Sequence, residues 1–156
     1  MVKAPLNPPI SKGDPSLTKR ILVVDDEPTI RELVADALRE AGYQIDLAAN
    51  GAEALQRMQG HAPHAIVLDL MMPLLDGSGF VELKRLNPRF AAIPVLMVTA
   101  AYGAFDAAER LGADACLTKP FELDALVSAV DRLVGDGHPE RADPSAALDR
   151  STFAQA

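Results

Sequence analysis

Between residues 20 and 135 the chain alternates two hydrophobic rhythms. Short apolar runs rich in β-branched residues occupy 20–24, 64–69, 94–98 and 114–118, and an alternating run occupies 43–49. Continuous runs of this kind read as strands buried on both faces, as in a parallel sheet. After each run the apolar residues return at helical spacing. They are Ile30, Leu33, Val34, Ala37, Leu38 and Ala41; then Ala54, Leu55 and Met58; then Phe80, Val81, Leu83 and Leu86; and finally Leu123, Leu126, Val127, Val130, Leu133 and Val134. The stretch from Gly103 to Leu111 is a weaker helix, with Gly103 lowering its propensity and Gly112 capping it. Pro28 suits a first helical turn and Gly42 a C-terminal cap, while Asn50-Gly51, Gly60 and Pro63 punctuate the second unit.

Five strands alternating with five helices predict an α/β fold, a three-layer sandwich whose parallel sheet is covered on both faces through right-handed crossovers. Residues 1–18, with Pro5, Pro8, Pro9, Pro15 and Gly13, are expected to be a disordered arm before one domain at 19–135. Residues 136–156, polar and Pro-containing, are expected to be a disordered tail. The 21 residues after Gly135 lack a core, so a stand-alone domain is expected.

Composition narrows the function classes more than the fold. With 156 residues, 49% of them hydrophobic, the chain suits one sizeable core. Its net charge of −7 belongs to residues 20–135, because the flanking segments cancel. Such acidity argues against direct nucleic-acid binding, which needs a basic face, but not against a metal. One cysteine excludes an internal disulfide, and no apolar run reaches membrane-spanning length. No membrane insertion is therefore expected, and the cytoplasm is the default location.

The ligand crevice of a parallel α/β sheet lies beyond the carboxyl ends of its strands. There the sequence places Asp25 and Asp26 after the first strand, Asp69 after the third, Thr99 after the fourth and Lys119 after the fifth. Three carboxylates at one edge repel one another, and a hard divalent cation with oxygen ligands resolves the repulsion. Mg²⁺ suits an open site that keeps waters and recruits phosphate. Thr99 offers a hydroxyl, and Lys119 a mobile ammonium, to phosphoryl oxygens. A carboxylate nucleophile in this setting yields an aspartyl phosphate. Taken singly, Asp25-Asp26 reads as helix capping, Thr99 as a strand former and Lys119 as a solvated charge. Their coincidence at matching strand ends favours chemistry.

The chain resembles the receiver domain of response regulators, the phosphoacceptor half of two-component signalling. The similarity covers residues 19–134 and rests on six motifs in order: Val23-Val24-Asp25-Asp26-Glu27-Pro28, Leu68-Asp69-Leu70-Met71-Met72-Pro73, Asp76-Gly77, Thr99-Ala100, Gly112-Ala113-Asp114 and Lys119-Pro120-Phe121. Asp26, Asp69, Thr99 and Lys119 follow one another at spacings of 43, 30 and 20 residues. The resemblance implies a flavodoxin-like (βα)5 fold with strand order 2-1-3-4-5. It also implies that Asp69 takes a phosphoryl group from the phosphohistidine of a sensor histidine kinase or a histidine phosphotransfer protein. Asp26, Asp69 and the Met71 backbone carbonyl would ligate Mg²⁺, with Asp25 acting through water. Thr99 and Lys119 would hold phosphoryl oxygens, and Lys119–Pro120 would be a cis peptide. The output would be contact with an unknown downstream protein, through the face of the fourth helix, fifth strand and fifth helix. Apart from self-catalysed phosphoryl transfer and slow self-dephosphorylation, no enzyme activity is implied.

The pattern breaks at Cys116, three residues before Lys119, where the family commonly carries Tyr or Phe. Without that aromatic, the usual coupling of Thr99 to an inward-turning ring is altered, displaced or weak. Cys116 itself reads as a small buried hydrophobe rather than a reactive thiol. Met71 and Ala101, two residues after Asp69 and Thr99, cannot orient a water, so the resemblance implies slow self-hydrolysis. Tyr102 and Phe105 read first as partial core and second as a displaced switch or partner-facing patch. Two alternatives remain beside the phosphoacceptor. One is a degenerate receiver that binds partners whether phosphorylated or not, as Cys116 permits. The other is a Mg²⁺-dependent phosphohydrolase using an aspartyl phosphate, which commonly needs a second Asp where this chain has Met71.

Overall fold

Each apolar run becomes a strand, and each helical periodicity a helix that packs on the sheet. The computed structural model describes residues 18–71, 77–100, 103–135 and 153–155. Its elements are β1 (Arg20–Val24), α1 (Pro28–Glu40), β2 (Gln44–Ala48), α2 (Gly51–Gly60), β3 (Ala65–Asp69), α3 (Gly77–Leu86), β4 (Val95–Thr99), α4 (Ala104–Leu111), β5 (Ala115–Thr118), α5 (Leu123–Gly135) and β6 (Phe153–Gln155). All pairings are parallel, in the order β2-β1-β3-β4-β5-β6. The first five strands thus have the expected order 2-1-3-4-5.

Side chains alternate between two cores, as the period of two in a strand requires. Leu22, Val24, Ile66, Leu68, Met97 and Cys116 face α2, α3 and α4, where they meet Met58, Phe80 and Ala108. Ile21, Val23, Val67, Leu96, Val98 and Leu117 face α1 and α5, where they meet Val34, Leu38, Leu126, Val130 and Leu133. Burial of each large side chain contributes roughly 1.5–3 kcal/mol. β3 and β4, central in the sheet, are buried at every position. β2 lies at one edge and is half-buried almost throughout, without the alternation its sequence suggested.

Helix ends follow the chemistry of their residues. Gly42, at φ +106°, lets the N–H of Gly42 reach Arg39 O at 2.9 Å and that of Tyr43 reach Leu38 O at 3.1 Å, so the last carbonyls of α1 are satisfied. The Asn50 side chain accepts the Glu53 N–H at 2.8 Å, while the Glu53 carboxylate accepts the Ala49 N–H at 2.7 Å, closing the start of α2 from both sides.

Of the residues whose spacing marks α3, Phe80 and Val81 are buried, but Leu83 and Leu86 are 44% and 78% exposed and Lys84 is buried. Leu86 stands six residues beyond Phe80, on the far side of a 3.6-residue helix. Lys84 lays its apolar stem inward and donates from Nζ to Ala91 O at 3.0 Å. Within residues 136–156, expected to be wholly disordered, residues 153–155 form β6. A three-residue strand held by backbone pairing on an open sheet edge leaves no hydrophobic period to detect.

The amino ends of the strands are tied by polar contacts. The Arg20 guanidinium grips both Asp46 carboxylate oxygens at 3.0 Å, and the Arg20 N–H donates to His64 Nδ1 at 2.9 Å. Lys19 Nζ donates to Val134 O at 2.8 Å. Buried Asp114 accepts the Val95 N–H at 2.8 Å and donates its own N–H to Val95 O at 2.9 Å. Asp114→Ala leaves that Val95 N–H without its carboxylate, so it is expected to destabilise the fold by about 1–3 kcal/mol. The measurement is a lowered urea midpoint at unchanged m-value.

Candidate functional site

The carboxyl ends of β1, β3, β4 and β5 bring the expected residues to one edge because the strands are parallel and in register. Asp25 follows β1, with its backbone N–H bound to Ala48 O at 3.1 Å. Asp69 closes β3 opposite Val98, and Thr99 closes β4 opposite Thr118. Lys119 follows β5, its N–H bound to Thr99 O at 3.1 Å, and the Lys119–Pro120 peptide is cis.

Asp25 and Asp69 are each 6% exposed, Thr99 is fully buried and Asp26 is exposed. One carboxylate oxygen from each of Asp25, Asp26 and Asp69 lies within 4.8 Å of the other two. Lys119 Nζ sits between two of them, 3.3 Å from Asp25 Oδ2 and 3.4 Å from Asp69 Oδ2. The other Asp25 oxygen accepts the Glu27 N–H at 2.9 Å, and the other Asp69 oxygen accepts the Met71 N–H at 3.1 Å. The Met71 side chain projects outward and is largely exposed. Phe105 is half-buried and packs on the core beneath α2, α3 and α4. Tyr102, Ala101 and Asp76 lie outside the described residues.

Burial raises the pKa of Asp69, and the opposing pull of Lys119 and of the Met71 N–H does not fully offset it. For Lys119, burial works against the charge, but Asp69 and Asp25 outweigh it and hold the ammonium above its ordinary pKa. The donor set is all oxygen, crowded and net negative, which fits a hard divalent cation.

Two contributors were not legible as such in the sequence. Gly77 entered only as part of the Asp76-Gly77 motif, yet its N–H binds Leu70 O at 3.0 Å, and a Cβ there would lie 2.7 Å from Leu70 Cα and 2.8 Å from Asp69 O. The start of α3 therefore presses against the backbone that carries Asp69. Arg31 donates from α1 to Asp25 O at 2.8 Å and fixes the acidic turn. The glycine of the Asp76-Gly77 motif hints at the first, whereas nothing in residue type or spacing marks the second.

Cys116 is fully buried in β5, opposite Met97, and its surroundings push the thiol pKa up to about 11. At pH 8 only about one thiol in a thousand is then ionised. Alkylation by iodoacetamide in native buffer is expected to be orders of magnitude slower than in denaturant, and rapid labelling of the native chain would show that β5 opens readily.

The fold and its acidic edge define a flavodoxin-like α/β domain. A family model described as the response regulator receiver domain matches residues 21–131. The chain belongs to this family. It is 40% identical over 117 residues to response regulator Rre1 of Synechocystis sp., covering 73% of this chain and 51% of that protein. It is 42% identical over 122 residues to the alkaline phosphatase synthesis transcriptional regulatory protein PhoP of Bacillus subtilis, covering 74% and 50%. The chain thus spans about half the length of these curated relatives. A crystal structure of a putative response regulator from Chloroflexus aurantiacus superposes with a TM-score of 0.72 at 35% identity, covering 76% of this chain and 98% of that one. Among the described residues no helix is long and apolar enough to cross a membrane.

Proposed function

We propose that this receiver domain is a phosphoacceptor in two-component signalling, taking a phosphoryl group onto Asp69 from the phosphohistidine of a histidine kinase or phosphotransfer protein. The observation that carries the reading is the shared ammonium of Lys119 between Asp25 and Asp69, beside a cluster of three carboxylates. The Met71 N–H fixes one Asp69 oxygen, and the other faces Lys119. In the transfer an Asp69 oxygen forms the new O–P bond, the N–P bond of the phosphohistidine breaks, and the imidazole leaves with the electron pair and gains a proton. Lys119 balances charge on the phosphoryl oxygens, and Thr99 at the end of β4 supplies a hydroxyl. Asp26, Asp69 and the Met71 carbonyl would hold Mg²⁺, with Asp25 acting through water. Bound there, the ion neutralises the carboxylates and the charge on the phosphoryl group. This chemistry marks the protein once per signal and does not turn over a substrate, and the signal passes on through contact with a downstream protein.

The test is incubation with Mg²⁺ and acetyl phosphate, followed by mass spectrometric location of the adduct. Modification at Asp69 is expected, and an unmodified Asp69 overturns the reading. Mg²⁺ alone is expected to raise the melting temperature, worth about 1.4 kcal/mol at ten times its Kd, and Asp26→Asn to remove most of the gain.

The fully buried Cys116 favours a second reading, the degenerate receiver that binds its partner regardless of phosphorylation. Equal partner affinity with and without beryllofluoride supports it, and an affinity change supports the switch. The phosphohydrolase alternative is weaker, because the thioether of Met71 supplies no acid or base. Multiple turnover of small phosphate esters, abolished by Asp69→Asn, would revive it.

A further inference from the structure

The two carboxylates of the acidic turn are held in opposite ways. Asp25 is fixed at four atoms. Its N–H donates to Ala48 O at 3.1 Å, Oδ1 accepts the Glu27 N–H at 2.9 Å, Oδ2 faces Lys119 Nζ at 3.3 Å, and its carbonyl accepts from Arg31 Nη1 at 2.8 Å. Asp26 is exposed, and among the described residues no hydrogen bond or ion pair holds its carboxylate. Its place in the cluster is therefore set by the two peptide planes that flank it. The plane joining Asp25 to Asp26 carries the carbonyl that Arg31 holds, and the plane joining Asp26 to Glu27 carries the N–H that Asp25 Oδ1 holds. A planar peptide leaves only two soft dihedrals per residue, so pinning both planes fixes the backbone of Asp26 and the direction in which its side chain departs.

Arg31 serves this turn rather than its own helix. α1 has no acidic residue in its first turn, and Glu27 makes no side-chain cap there. A cation so near a helix N-terminus opposes the macrodipole. The Arg31 N–H opens the helical ladder on Glu27 O at 2.9 Å, so the half-buried side chain reaches back to the turn from a fixed base.

For a divalent cation at the cluster, Arg31 has two effects of opposite sign. Its permanent positive charge repels the ion, while its hydrogen bond holds Asp26 in place. The repulsion depends on charge and distance, so it acts on all divalent ions alike. Placement does not. Mg²⁺ demands near-ideal octahedral geometry at about 2.0–2.1 Å, whereas Ca²⁺ accepts roughly six to eight oxygens at about 2.3–2.6 Å in flexible arrangements. We propose, on the reading that this cluster holds a divalent cation, that Arg31 is a positioning residue that gives the cluster its preference for Mg²⁺ over Ca²⁺. It acts through the Asp25 carbonyl on Asp26 and touches neither the ion nor its ligand oxygens.

The full chain is titrated with MgCl₂ or CaCl₂ at constant ionic strength, and amide NMR shifts report both affinity and fold. Arg31→Met keeps an unbranched stem and loses the donor and the charge. Its Mg²⁺ affinity is expected to fall by about tenfold, the low end for groups that orient a metal ligand. Its Ca²⁺ affinity is expected to fall by less than about threefold. Arg39→Met removes a charge from the same helix, where it pairs with Glu32 and Asp36, and is expected to leave the ratio of the two affinities unchanged. In an Asp26→Asn background, Arg31→Met is expected to lower Mg²⁺ affinity by less than about twofold further, because its effect runs through Asp26. Arg31→Gln is read in the same way if Arg31→Met does not fold. An equal fall for both ions, a rise for both, or full additivity with Asp26→Asn overturns the role of Arg31. A wild-type chain that binds neither ion overturns the metal reading itself, and the role of Arg31 with it.

Discussion

Asp69→Asn is expected to abolish phosphoryl acceptance from acetyl phosphate and from any phosphohistidine donor, without unfolding the protein. The amide keeps the shape of the carboxylate and an oxygen for the Met71 N–H, but it lacks the charge that attacks phosphorus. The same variant is expected to unfold at a higher urea concentration than the wild type in metal-free buffer at pH 7. The sign follows from linkage. The pKa of Asp69 is higher in the fold than in the unfolded chain, so the folded state binds more protons and loses stability as pH rises through that interval. Above it the wild type carries the whole cost of an ionised buried carboxylate, and the neutral amide does not. A lower urea midpoint for Asp69→Asn would mean that Lys119 more than repays the burial of that charge.

Gly77→Ala is expected to be the most damaging single-methyl change near the site. The added carbon would lie 2.7 Å from Leu70 Cα and 2.8 Å from Asp69 O, and neither backbone atom can swing aside as a side-chain tip does. The start of α3 or the end of β3 must shift, at a cost of about 1–3 kcal/mol or more. Asp69 rides on the displaced backbone, so phosphoryl acceptance should fall along with the urea midpoint. Gly60→Ala, with nothing within 4 Å of the added carbon, is the control and should leave both within error or slightly improved. Equal behaviour of the two variants would show that the backbone after β3 accommodates the extra carbon.

The order of elements was legible because buried strands in a parallel sheet have no alternation to hide them, and Asp69 was legible because a charge ending such a run needs company. Asp25, Asp26, Thr99 and Lys119 followed from strand ends alone. The inward face of α3 was not, since Leu83 and Leu86 carry the hydrophobicity while the stem of Lys84 does the packing. Arg31 acts through its reach to a backbone carbonyl, which residue type does not encode. β6 escaped because its pairing is a property of the open edge of β5 rather than of residues 153–155. The role of Gly77 depends on a backbone approach between segments that no local pattern records.

The polar ties at the amino ends of the strands carry a mechanical meaning. Lys19 to Val134, Arg20 to Asp46 and His64, Lys84 to Ala91 and Asp114 to Val95 clamp one end of the sheet to its surroundings, whereas the carboxyl end is spanned by Lys119 reaching two like charges. Charge added at Asp69, as the proposed phosphoryl transfer would add it, falls at the end of the sheet where a single ammonium already divides itself between two carboxylates.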